Sequence, residues 1–233
     1  MAVLAWDGGK AVVEDLRVGA DDEAVLAAVA IADKAGIDAP FGRPDAFAAF
    51  LVAHQSRDVP VPGGLTGQQW RRQLAWRHTD ETVRAVTGII PLSVAADRIG
   101  HAAMRCAGLL AKLGNAGHPV ERDGSGAVAE VYPAASLKQW GLPYRGYKQP
   151  GNLGVLPELV TVLQTAAPWL ETGAYDCLCR TSNDAFDAVI SALTARAAVL
   201  NLTLRPDFDL KSHASREGWI ALPTAHCPLT ALS

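Results

Sequence analysis

The chain has 233 residues, 49% of them hydrophobic and 19% charged, with a formal net charge of -3. That supply of apolar side chains supports a sizeable core and argues against disorder, and the slightly acidic balance excludes a global basic field that would draw the protein onto nucleic acid or an anionic membrane. A local basic groove is the remaining route to a polyanion. Four cysteines do not make a disulfide framework. Cys177-Leu178-Cys179 lacks the C-x-x-C spacing of a zinc site, so buried thiols are expected there. The opening MAVLAWDGG lacks a charged leader region, and no apolar run reaches the roughly 20 residues of a membrane span. A soluble, cytoplasmic protein with no membrane partner is expected.

In chain order, residues 2 to 6 and 10 to 16 are short apolar runs around Asp7-Gly8-Gly9, a hairpin signal. Asp21-Asp22-Glu23 opens an alanine-rich helix to about Lys34, its acids at the positive end of the dipole. AGIDAP, from Ala35, follows as a short buried strand, and hairpin, helix and strand together predict a mixed α/β sheet. Residues 44 to 55 predict a helix, and 57 to 67, with Pro60, Pro62, Gly63 and Gly64, a loop. A polar, arginine-rich stretch follows. Residues 93 to 113 then carry helical periodicity closed by Gly114. AVAEVY, 127 to 132, predicts a second buried strand ended by Pro133, and 155 to 167 and 182 to 200 predict the last strong helices. No composition break forces a boundary, so one domain over 1–233 is expected, with a helical insertion at about 55–120.

Three acidic positions stand out. Asp38 ends an apolar strand and is either a turn former or a ligand. Glu130 lies inside AVAEVYP, where a carboxylate is costly to bury unless protonated, paired or metal-bound, although strand alternation also allows it to face outward. Along the helix SNDAFDAVISALTARAAVL, Phe186, Val189, Ile190 and Leu193 form the core stripe. Asp184, Asp187, Ser191, Thr194 and Ala198 share a small-sided face that another element can approach. Asp184 also suits the helix dipole, whereas Asp187 lies a turn deeper. If the strands run parallel and the helix crosses their ends, these carboxylates converge as hard oxygen ligands for Mg²⁺ or Mn²⁺, a two-ion arrangement for phosphodiester cleavage.

GIDAPFG, RHTDETVR, EVYPAASLKQWG, DAFDAVISALTARAA and EGWIALP, in that order, resemble a bacterial family known as domain of unknown function 429, predicted nucleases with an RNase H-like fold. The resemblance implies a mixed sheet with flanking helices and a metal site built from an acid on the first strand, one ending the fourth and one on the C-terminal helix. It places Asp38 at the fourth-strand position, Glu130 on the fifth strand, and Asp187 or Asp184 on the helix. In the family the first strand carries a GVDLA-like stretch. Here Met1 stands where the second strand should begin, so that strand and its acid are expected to be absent, the metal site incomplete and normal nuclease activity lost.

Arg71, Arg72, Arg77, His78 and Arg84, interleaved with Trp70 and Trp76, suit a nucleic acid, or equally a solvated helix with its tryptophans turned inward. Arg77, Thr79 and Asp80 match the family's R-x-T-D stretch, and Asp80 is also placed to cap a helix. Lys148 is a candidate phosphate contact beside Tyr144, and Tyr132 and Glu217 are candidate neighbours of the site. Gly218 permits close approach next to the packing residue Trp219. His54, His101, His118, His213 and His226 show no metal spacing. The expected function is that of a metal-dependent nuclease of RNase H-like type, inactive in this chain if the first-strand acid is absent. A non-catalytic nucleic-acid or protein binding module, or a nucleotide- and Mg²⁺-binding domain of the actin and sugar-kinase type, are the alternatives.

Overall fold

A computed structural model describes residues 1–60, 62–149, 154–225 and 227–233. His226 lies outside the described residues. The architecture is mixed α/β, with ten α-helices and five short strands among the described residues. By its internal contacts the chain divides into two compact units where the sequence predicts one domain with an insertion. The first holds Met1–Asp38, Val131–Leu204 and Ala221–Ser233, and the second Ala39–Glu130 and Arg205–Ile220. The helical segment thus begins well before residue 55 and takes in a strip near the C-terminus.

In the first unit, β1 (Ala2–Asp7) and β2 (Lys10–Leu16) form an antiparallel hairpin. Gly8 and Gly9 both adopt positive φ, 56° and 80°, which is the type I′ turn that suits the twist of two paired strands. β2 alternates, burying Ala11, Val13 and Leu16, and pairs in parallel with β5 (Leu170–Glu171), giving a three-stranded mixed sheet with β1 at its edge. Helix α1 (Asp22–Ile31) starts where Asp21 accepts the Ala24 N–H at 2.8 Å and leads to β3 (Ala35–Ile37). The predicted strand at 127 to 132 is shorter than expected: it forms β4 (Val128–Glu130), which belongs to the second unit, and stops before Tyr132. Pro133 not only ends it but opens a helix, α6 (Pro133–Gln139), because its fixed φ and missing N–H fit the first helical position. Then follow α7 (Val155–Ala166), α8 (Asp176–Thr181) and α9 (Asn183–Val199).

Ser182 caps α9, accepting the Ala185 N–H. The predicted stripe of Phe186, Val189, Ile190 and Leu193 is buried in one cluster with Ala11, Val13 and Leu16 of the sheet and Leu159, Val160 and Leu163 of α7. The small-sided face of α9 is the second contact surface. Gly36 of β3 packs so closely on it that a Cβ there would collide with the Ser191 carbonyl oxygen, and Thr194 donates to Ser136 of α6 at 2.9 Å. Gly36, two residues before Asp38, thereby packs on Ser191, one turn along α9 from Asp187.

The second unit contains α2 (Asp45–Gln55), α3 (Gly67–Ala75), α4 (His78–Thr87), α5 (Gly100–Asn115) and α10 (Lys211–Glu217). Helix α5 begins at Gly100 and not near Ser93. Ser93 accepts from the backbone N–H groups of Ala95 and Ala96, and Asp97 accepts from Ser93 N–H; such local bonds offer the backbone an alternative to helix. The capping box of Thr66 and Gln69 fixes the start of α3. In α5 the apolar positions Cys106, Leu109, Leu110 and Leu113 are buried at helical spacing. No helix among the described residues is long and apolar enough to cross a membrane.

Candidate functional site

The first unit gathers Asp38, Asp187, Lys148, Tyr147 and Tyr132. Asp38 is exposed at the bend directly after β3. Asp187 is 7% exposed. Tyr147 donates its hydroxyl to Asp187 Oδ1 at 2.8 Å, and the Lys148 ammonium forms an ion pair with Asp187 Oδ2. Asp38 and Tyr132 both act electrostatically on Lys148 and Tyr147. Burial pushes the Asp187 carboxyl above its ordinary range, against the pull of Lys148 and Tyr147, and the Asp184 charge adds to the rise. Burial opposes the charge on Lys148, but Asp187 and Asp38 outweigh it and raise the lysine pKa. Burial and Asp187 likewise raise the Tyr147 phenol. Asp184 is exposed in the first turn of α9, where Asn183 donates to it at 2.9 Å. Of the sequence-predicted acids, Asp187 pairs directly with Lys148, and Asp38 adds to its electrostatic stabilisation.

Glu130 has a different environment, in the second unit. It is 2% exposed, which decides between the inward and outward readings of its strand. Arg77 Nη2 and Nη1 donate to its two oxygens at 2.7 and 2.8 Å, and the Phe41 N–H donates to Oε2 at 2.9 Å. Arg77 also donates through Nε and Nη2 to Asp80 at 3.1 and 2.9 Å, and through Nη1 to the Glu217 carbonyl at 3.1 Å. Five bonds engage the guanidinium, which is 2% exposed. Burial opposes its charge, but Glu130 and Asp80 outweigh this and hold it firmly protonated. Burial pushes Glu130 up in turn, against the pull of Arg77 and Phe41. A buried bidentate pair of this kind leaves neither partner open to another ligand. Glu130 is thus closed to a metal, and Arg77 to a phosphate.

Asp80 also accepts the Arg77 N–H at 2.9 Å, so it caps the first turn of α4, and Thr79 accepts the Ile220 N–H at 2.8 Å. Gly218, at φ +89°, packs so tightly that a Cβ would lie 2.7 Å from Glu130 Oε2 and 3.2 Å from Arg77 Nη1. Much of the basic stretch is paired off. Arg72 forks onto Glu81 at 2.8 and 2.6 Å, Arg84 lies 3.8 Å from the same carboxylate, Trp70 packs edge-on to Phe50, and Trp76 donates to the Pro91 carbonyl.

Glu217 is 3% exposed and sits beside two histidines. His78 and His213 stack with ring centroids 4.1 Å apart, and their nitrogens and a Glu217 oxygen lie within 4.8 Å of one another. His213 and Glu217 are four residues apart on α10, a spacing visible in the sequence. His78, at the start of α4, gives no sequence sign of joining them, and Tyr147 could be found only as the neighbour of Lys148.

A family model described as a protein of unknown function, DUF429, matches residues 1–208. The chain belongs to the DUF429 family. The matched stretch includes Asp38, Arg77, Glu130, Lys148 and Asp187, while the DUF429 match stops before α10, so His213, Glu217 and Gly218 lie beyond it. No curated protein and no solved structure matches the chain.

Proposed function

We propose that this DUF429 chain is a metal-dependent phosphodiester hydrolase of the RNase H-like type, acting at the cluster of Asp38, Asp187 and Lys148. The observation that supports it is a nearly buried carboxylate, Asp187, which shares the charge of one lysine with a second acid, Asp38. Burying a carboxylate is unfavourable without a cation beside it, and Lys148 supplies that cation here. Two carboxylates that act on the same lysine offer the hard oxygen donors a divalent ion takes. Asp38 and Asp187 would hold Mg²⁺ or Mn²⁺, with Asp184 at the rim, and the ion would supply charge neutralisation and a water of lowered pKa.

The remaining roles belong to the chain itself. Tyr147 fixes the Asp187 rotamer through Oδ1, leaving Oδ2 as the oxygen that carries the cation. Lys148, whose side chain is 44% exposed, is free to shift to a phosphate oxygen of a nucleic-acid strand. Glu130 and Arg77 take no part, since each is committed to the other. Four free thiols without a disulfide accord with the cytoplasm as the site of action.

The test is calorimetric titration with Mg²⁺ and Mn²⁺ together with hydrolysis of single-stranded DNA, RNA and a small phosphodiester. Asp187→Asn and Asp38→Asn should each weaken metal binding by more than the roughly 10- to 100-fold typical of losing an outer-sphere partner, and should abolish hydrolysis. A folded wild-type chain that neither binds metal nor cleaves any diester sinks the proposal, as does Asp187→Asn with unchanged turnover.

A further inference from the structure

We propose that His78, His213 and Glu217 form a binding site for a zinc-class divalent ion in the second unit, with an open coordination position facing a groove. The donor set consists of two imidazoles and one carboxylate, with donor atoms within 4.8 Å of one another. Zinc bonds of about 2.0–2.1 Å in a tetrahedron put donors about 3.4 Å apart. An entering ion therefore has to close the longest gap by roughly 1.4 Å, within reach of side-chain rotation.

The parts differ in mobility in a way that suits such closure. Glu217 is fixed: its side chain is 3% exposed, Oε1 accepts the Asp45 N–H at 2.9 Å, and Oε2 accepts the His78 N–H at 2.9 Å. The two rings are the movable ligands, with side-chain exposures of 45% for His78 and 35% for His213. His213 Nδ1 lies 3.0 Å from Asp45 Oδ2, and Asp45 is itself held by Arg216 at 2.7 Å. The same Nδ1 lies 4.0 Å from Glu217 Oε1, so an ion takes this nitrogen over from Asp45, whose carboxylate stays beside the ring as an outer-sphere partner held by Arg216. His78 Nδ1 lies 3.0 Å from Glu217 Oε2, so an ion entering between them takes the place of a proton.

Two imidazoles select a borderline transition ion over Mg²⁺, so this site differs in chemistry from the oxygen-only pair of Asp38 and Asp187. Three protein ligands leave a fourth position for water or a ligand. That position faces a groove of about 580 Å³ whose other walls include Leu65, Trp76 and Arg72. The inference does not rest on the hydrolase reading.

The experiment titrates zinc into the metal-stripped full chain in excess Mg²⁺, using calorimetry, and records the absorption spectrum of the cobalt-substituted form. One equivalent should bind, with nitrogen and oxygen ligation in the spectrum. His78→Ala and His213→Ala should each raise the Kd at least about tenfold. Both side chains are partly exposed, so these variants should keep the wild-type circular dichroism and melting curve. Cys177, the exposed thiol, is the competing ligand, and Cys177→Ser should leave binding unchanged. A folded wild-type chain that binds no zinc overturns the proposal, as does binding that survives both histidine variants or disappears with Cys177→Ser. Asp187→Asn should give the wild-type zinc curve, so this site and the proposed hydrolase site succeed or fail separately.

Discussion

The sharpest test of the architecture is Arg77→Met. The guanidinium makes five bonds from a position 2% exposed: two to Glu130, two to Asp80 and one to the Glu217 carbonyl. Methionine keeps most of the volume and removes all five. Glu130 is then left with the Phe41 N–H, and Asp80 with the Arg77 N–H, as their charge-stabilising contacts. Breaking one buried pair by removing a partner costs about 3–5 kcal/mol. Two carboxylates are stranded here, so the upper end, about 5 kcal/mol, is expected, against a total stability of about 5–15 kcal/mol for an ordinary domain.

Urea denaturation gives the readout, with Arg77→Met/Asp80→Leu/Glu130→Met as the companion variant. Replacing the whole ionic cluster by apolar side chains should restore most of the loss, short of about 1 kcal/mol for the missing α4 cap. The pH dependence supplies a second check. The folded Glu130 pKa is already raised by burial and rises further without Arg77. A carboxyl with a raised folded pKa contributes stability below its unfolded value, near 4.5, and loses that contribution as pH climbs through the folded value. The Arg77→Met deficit should therefore shrink at pH 4 relative to pH 7. A deficit under about 1 kcal/mol at pH 7 would refute the reasoning, because it would mean that the acids are neutral in the folded chain.

Two further outcomes are expected. Gly218→Ala imposes a side chain at φ +89° and places its Cβ 2.7 Å from Glu130 Oε2 and 3.1 Å from Phe41 Cβ; strain and overpacking together should cost roughly 2–5 kcal/mol, read as a lower urea midpoint at unchanged slope. Asp187 also has a raised folded pKa, caused first by burial, so its ionisation is a burden on the metal-free fold above its unfolded value near 3.8. Asp187→Asn should thus gain stability relative to wild type as pH rises from 4 to 7, measured by thermal melts without divalent ions, and a relative loss over that interval would show that Lys148 more than offsets the burial.

What the sequence reveals tracks how local each interaction is. Asp7-Gly8-Gly9 demanded a tight hairpin, and one is present. The small-sided face of α9 demanded a close neighbour, and Gly36 is that neighbour. By contrast, α10 is a seven-residue polar helix, too short to show a periodicity. Pro133 carries two meanings, strand breaker and helix opener, and local sequence offers no choice between them. The same holds at the sites. A carboxylate in an apolar strand must find a partner, but whether that partner is a metal or an arginine depends on Arg77, 53 residues away along the chain. The four-residue step from His213 to Glu217 is visible on the page. The arrival of His78, 139 residues from Glu217, is a property of the folded chain alone.

The two buried acid centres show why burial by itself is a poor guide to chemistry. Glu130 and Asp187 are both desolvated carboxylates with raised pKa values, and each has one cationic partner. The difference lies in the partner. Arg77 is planar, always charged, and spends five bonds on fixed acceptors from a position closed to water, so its displacement would strand a charge that nothing else can reach. Lys148 is a point charge on a flexible stem, 44% exposed, and a second acid also draws on it. Lysine can leave such a carboxylate for water or a phosphate at modest cost, and a divalent ion from solvent can take its place. The closed pair is suited to holding a fold and the open one to exchanging ligands, which is why the proposed chemistry is assigned to Asp187 and Asp38 and not to Glu130.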